Sequence, residues 1–94
     1  MALLDDVKDA LRISGNDLDT EVTDLIGAAQ ADLQLSGILS TKATSTTDPL
    51  IRRAVVVYCK ANFGWDNQEG EKFQNSYDML KKHLCLSQEY TVSA

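Results

Sequence analysis

Between Asp48 and Trp65 the sequence DPLIRRAVVVYCKANFGW places apolar residues around most of a helical circumference. Leu50, Ala54, Val57, Tyr58, Ala61 and Trp65 follow one row at helical spacing, and Ile51, Val55, Cys59 and Phe63 form a second beside it. Only Arg52, Arg53, Lys60 and Asn62 remain as a polar strip, so this helix needs other helices against two of its sides. The β-branched run from Ala54 to Cys59 has the length of a strand. Helix is the better reading: Asp48 is an N-cap residue, Pro49 falls at the first helical position where its missing N–H costs nothing, and the helical spacing continues past the valines.

Three further helices follow from the same periodicity. Leu3, Leu4, Val7, Ala10 and Leu11 line one side of a first helix from about Leu3 to Ile13, with Asp5 and Asp6 where the helix dipole favours negative charge. Ser14-Gly15-Asn16-Asp17 breaks it: Gly15 suits a left-handed residue past a helix end, and Asn16 or Asp17 suits the cap of the next helix. The second helix runs from Leu18 to Leu35 or Ser36, with Leu18, Val22, Leu25, Ile26, Ala29 and Leu33 on one stripe and Asp19, Thr23, Gln30 and Gln34 facing away. The last begins between Asn67 and Glu71 and ends near Leu86, carrying Phe73, Tyr77, Leu80 and Leu84 inward and an Asp78–Lys82 pair at i,i+4 outward.

Two stretches have no such pattern. SGILSTKATSTTD, from Ser36 to Asp48, opens on Gly37 and continues as a Ser/Thr cluster that reads as a long loop, with Ile38 and Leu39 the side chains able to fold back. Ser87 to Ala94 alternates Tyr90 and Val92 with Thr91 and Ser93, an extended segment with too little apolar surface to hold itself down. The expected architecture is all-α: a small bundle of four helices around a central apolar helix, with a long loop between the second and third helices. Residues 1–86 form the helical domain and residues 87–94 a flexible C-terminal tail.

With 94 residues and 44% hydrophobic content the chain supports one small core. No run approaches a membrane span, and the N-terminus lacks the order of a signal peptide, which points to a cytosolic product. Cys59 and Cys85 fall on separate helices and read as reduced thiols. The formal net charge of −5 is unevenly spread: residues 1–48 hold nine acidic and three basic side chains, residues 49–94 five acidic and six basic. Such an acidic surface repels a polyanion, whereas the asymmetry favours head-to-tail contacts in which Asp19 or Asp24 of one copy meets Arg52, Arg53 or Lys60 of the next.

Candidate chemistry is sparse. His83 is the sole histidine and stands beside lysines, while Cys59, Cys85 and His83 are too few and too badly spaced for a zinc site. The five glycines are scattered as helix punctuation, without a phosphate-binding arrangement. The expectation is a protein that is not an enzyme and holds no metal or cofactor.

The order LLDDVKDALRI, GNDLDTEVTDLIGAAQADLQ, a loop, DPLIRRAVVVYCKANFGWDN and EKFQNSYDMLKKHLCLS resembles the head–tail connector, or head-completion adaptor, proteins of long-tailed bacteriophages, over almost the whole chain. Its most specific parts are the Asp-x-x-Lys-x-x-Leu-Arg-Ile opening followed by Asp-Leu-Asp, the aromatic end of the third helix running into Asp66-Asn67, and the Phe73, Tyr77, Leu80 ladder. The loop and tail fit least well.

The resemblance implies a structural virion protein, made in the host cytoplasm, that is monomeric in dilute solution and forms a ring of about a dozen copies on assembly. The ring docks under the portal protein, extends the DNA channel without binding sequence, and offers a surface to the next head-completion or tail-terminator protein. Ser40, Thr41, Lys42 and Thr44 of the loop are candidates to face the channel, and Glu89, Tyr90, Thr91 and Val92 of the tail to add a strand to the portal. On this view deletion after Leu86 leaves helix content and melting temperature unchanged. Two other classes fit the composition less well. A helix-turn-helix regulator would carry Asp19, Glu21 and Asp24 and no base on its recognition helix, and an acidic mimic of DNA would need more charge than this chain has.

Overall fold

A computed structural model describes residues 3–63, 68–87 and 89–91. Within them lie five helices: α1 (Leu3–Leu11), α2 (Asp19–Leu35), α3 (Ser40–Ala43), α4 (Pro49–Asn62) and α5 (Gly70–Cys85). The all-α class and the four long helices match the sequence pattern. α3 is a single turn inside the stretch expected to be loop.

The start of α4 is fixed as its sequence dictates. Asp48 Oδ1 accepts from the backbone N–H of Leu50 at 3.0 Å and of Ile51 at 3.3 Å, and Pro49 occupies the first turn. α4 packs most extensively on α5, then on α2 and α1. Ile51, Ala54, Val55 and Cys59 are fully buried and Val57 nearly so, so two sides of the helix are covered. Leu50, expected to face inward, is 46% exposed in the first turn, beside the polar strip. The helix also ends earlier than its apolar pattern. Phe63 leaves in an extended conformation (φ −88°, ψ 131°), the Asn62 side-chain amide donates to the Tyr58 carbonyl at 2.9 Å, and Gly64 follows, a poor residue for continuing a helix. Trp65 and the Asp66-Asn67 pair lie outside the described residues.

Gly37 (φ 108°) closes α2: its N–H donates to the Gln34 carbonyl and the Ile38 N–H to the Leu33 carbonyl, both at 3.0 Å, with Ile38 and Leu33 both buried. α1 ends in the same pattern, but on Arg12 (φ 61°) rather than Gly15. The Arg12 N–H donates to the Asp9 carbonyl and the Ile13 N–H to the Lys8 carbonyl, which helps offset the roughly 1 kcal/mol that a left-handed non-glycine residue costs. Gly15 (φ 85°) serves the corner that follows, where the Lys8 ammonium bonds the Gly15 carbonyl and lies 2.7 Å from Asp19 Oδ1. Neither Asn16 nor Asp17 supplies a side-chain cap to α2. Leu18 occupies the cap position and is 40% exposed, and Asn16 contributes only its carbonyl, which accepts from the Asp19 N–H at 3.3 Å.

The 36–48 stretch and the C-terminal segment hold each other. The Leu39 N–H donates to the Tyr90 carbonyl at 2.8 Å, and Ile38 and Thr91 form an isolated antiparallel bridge. Tyr90 is only 6% exposed, its hydroxyl donates to Asp48 Oδ1 at 3.1 Å, and the Lys42 ammonium lies 5.6 Å from its ring centroid. The expectation that this segment cannot anchor itself therefore does not hold for Tyr90. The apolar surface it lacks is supplied by Ile38 and Ala43, which are buried in the same core.

Candidate assembly surfaces

Helical periodicity places a polar strip on α4 and an acidic one on α2, and packing decides which of their charges are already spent. Arg52 reaches back to α1 and pairs with Asp6 through a part-buried contact. Asp19 pairs with Lys8, and the Lys60 ammonium lies 4.9 Å from the Phe73 ring centroid. Of the five residues expected at a subunit interface, Arg53 and Asp24 are the two that stand exposed. Arg53 borders a shallow hollow with Asp6, Pro49, Arg52 and Val56. Glu21 is exposed one turn before Asp24.

α2 and α5 meet through a polar cluster that periodicity does not reveal. Tyr77 donates its hydroxyl to Asp32 Oδ2 at 2.6 Å, and the Lys81 ammonium reaches the same oxygen at 2.9 Å while lying 5.1 Å from the Tyr77 ring centroid. Tyr58 packs edge-on against Tyr77, and the Cys85 thiol donates to the Ser36 carbonyl farther along. The i,i+4 bond of Asp78 runs backward: its Oδ1 accepts from Gln74 Nε2 at 3.0 Å rather than pairing with Lys82. Burial pushes the Asp32 carboxyl up, but the hydrogen bonds from Tyr77 and Lys81 and the Lys81 charge outweigh it and hold the group below its ordinary value of 3.8. Burial, followed by the neighbouring Asp32, raises Tyr77 above the usual phenol range.

The sign of linkage follows. A lowered carboxyl contributes stability that is present above its unfolded value and lost as pH falls through the folded one. We expect urea unfolding to show wild type more stable than Asp32→Asn at neutral pH, with the difference shrinking below the ordinary value of 3.8. A difference that stays constant on acidification would remove Asp32 as the responsible group.

The residues expected to face a channel fall on α3 and its end. Ser40, Thr41 and Thr44 are exposed, and the Thr44 hydroxyl donates to the Ser40 carbonyl at 2.7 Å. Lys42 is half-buried and turned toward Tyr90. Of the tail residues expected to dock on a partner, Glu89 is exposed, Tyr90 is turned into the chain's own core, and Thr91 is half-buried with its hydroxyl donating to the Ser87 carbonyl. Val92 lies outside the described residues.

Burial pushes the Cys59 thiol up to about 12, which leaves it unreactive. Among the described residues no group of three or more His, Cys, Asp or Glu side chains is placed to hold a metal, and no helix is long and apolar enough to cross a membrane. What the described surface offers is charge and shape on a small helical scaffold. A family model described as phage connector protein matches residues 3–91, and the chain belongs to that family. It is a structural connector of the phage particle that works in contact with other head and tail proteins. Comparisons with curated proteins and with solved structures gave no match.

Proposed function

We propose that about a dozen copies form a ring that docks under the portal after genome packaging, extends the DNA channel and presents an attachment surface to the next head-completion or tail protein. Family membership over residues 3–91 carries this reading. Two features support the finer part. The exposed hydroxyls of Ser40, Thr41 and Thr44 make a surface that lets DNA slide, since retaining it would require cations to neutralise phosphates. The ion pairs Lys8–Asp19 and Arg52–Asp6 tie α1 to α2 and α4 within the subunit and leave the outward charges of Arg53 and Asp24 for contacts between copies.

The test is co-sedimentation of purified protein with capsids that carry or lack the portal. Binding to portal-bearing capsids alone is expected, with the free protein monomeric by light scattering in dilute solution. Equal binding to both kinds of capsid, or a stable closed dimer insensitive to salt, would overturn the reading.

A further inference from the structure

We propose that neighbouring copies of this chain dock head to tail, with Glu21 and Asp24 on the outward row of α2 in one copy seated against Arg53 and its hollow at the start of α4 in the next. This rests on the connector reading and specifies which surfaces meet.

The first observation is a complete separation of charge between two helices. α2 contains Asp19, Glu21, Asp24 and Asp32 and no basic residue, whereas α4 contains Arg52, Arg53 and Lys60 and no acidic one. The two helices pack together, yet they do so through apolar sides. Asp19 turns to Lys8, Asp32 to Lys81, and Arg52 to Asp6. Glu21, Asp24 and Arg53 are left exposed and, among the described residues, without an ion-pair partner.

The second observation is the shape of the two rows. Glu21, Asp24 and Ala28 follow one another at one-turn spacing on α2, and all three are exposed. Ala28 lets a neighbouring helix approach closely. Pro49, Arg53 and Val56 follow the same spacing on α4 and border the hollow in which Arg52 already neutralises Asp6, so Arg53 supplies its net positive charge. Each patch has an exposed leucine beside it, Leu18 next to the acidic row and Leu50 next to Arg53. Both become covered when the rows meet, which gives the contact an apolar component that charge alone lacks.

The two patches differ, so the contact is heterologous: a copy docked through one patch still presents the other, the growing assembly keeps one free acidic row and one free basic hollow, and addition continues until a ring closes. A two-fold dimer through either patch would oppose like charges. Exposed charge pairs of this kind are weak and salt-sensitive, which fits assembly completed on a template rather than in dilute solution.

Charge reversal tests the pairing. Arg53→Glu and Asp24→Arg, each checked for fold by circular dichroism, are compared with wild type by sedimentation equilibrium over rising protein concentration at low salt. Each variant alone is expected to associate about tenfold or more weakly, because Arg53→Glu sets acid against acid at every contact and Asp24→Arg sets a second positive charge against Arg53 with only Glu21 left to answer it. An equimolar mixture of the two is expected to recover wild-type association, since native and swapped pairs alternate along the chain of copies. Association of either variant at wild-type strength, or a mixture no better than its components, would overturn the contact. Wild type that stays monomeric at all concentrations would overturn it too, and binding of that same wild type to portal-bearing capsids would leave the connector reading standing.

Discussion

Deleting the chain after Leu86 is expected to lower the melting temperature markedly, and Tyr90→Ala is expected to account for most of the loss. Tyr90 is 6% exposed, and removing a buried aromatic side chain costs about 3–5 kcal/mol in a rigid core. A short terminal segment can relax around the gap, so roughly 2 kcal/mol is the better figure here, against a total of about 5–10 for a domain of this size. In a chain of 94 residues that corresponds to a fall of roughly 8–16 °C. Tyr90→Phe keeps the ring and loses only the bond to Asp48 Oδ1, so it should cost no more than about 1 kcal/mol. The order expected in thermal unfolding is truncation, then Tyr90→Ala, then Tyr90→Phe, then wild type. A truncated protein that melts within a degree or so of wild type would mean that the segment adds nothing to the fold, as its composition alone suggests.

The same experiment bears on the tail as a docking element. In this structure Tyr90 and Thr91 are occupied within the chain, so a partner that takes the segment as an added strand must first break the Leu39–Tyr90 bond and expose a buried ring. That release costs what truncation measures, and only a partner offering an equivalent edge and pocket repays it.

The larger effect is expected from Val57→Asp. Val57 is 3% exposed in the middle of the helix on which α1, α2 and α5 all pack, and an unpaired carboxylate there costs several kcal/mol, enough to consume most of the stability available. Circular dichroism should show loss of helix at room temperature. Arg53→Glu on the outward strip of the same helix should leave helix content and melting temperature near wild type, since surface substitutions of this kind usually change stability by no more than about 0.5 kcal/mol. Equal loss of fold in both variants would refute the division of α4 into covered and outward sides.

Several features of the molecule are decided locally and can be read from the chain. Asp48 and Pro49 set the start of α4 because a capping carboxylate and a proline act within one turn. Gly37 ends α2 because the left-handed residue there needs no more than the four preceding residues. Most of the inward rows of α2 and α5 follow from spacing: Val22, Ile26, Ala29, Leu33, Tyr77 and Leu84 are buried as that spacing requires, whereas Leu18, expected on the same stripe, is 40% exposed at the cap position. The order of these segments was also enough to identify the family, which needs no knowledge of contacts.

Tertiary structure alone decided how residues distant in sequence were paired. Arg52 with Asp6, Asp32 with Tyr77 and Lys81, and Tyr90 with Asp48 are each separated by more than forty positions, and no local periodicity encodes which charge answers which. The Arg52–Asp6 pair, together with the shorter-range Lys8–Asp19 pair, removed Arg52 and Asp19 from the exposed charges and left Arg53 and Asp24. Tertiary structure also joined a Ser/Thr-rich loop and a polar terminus, each poor in apolar surface, into one packed unit: Ile38 and Ala43 are buried in the same core as Tyr90, and the Ile38–Thr91 bridge ties the two segments.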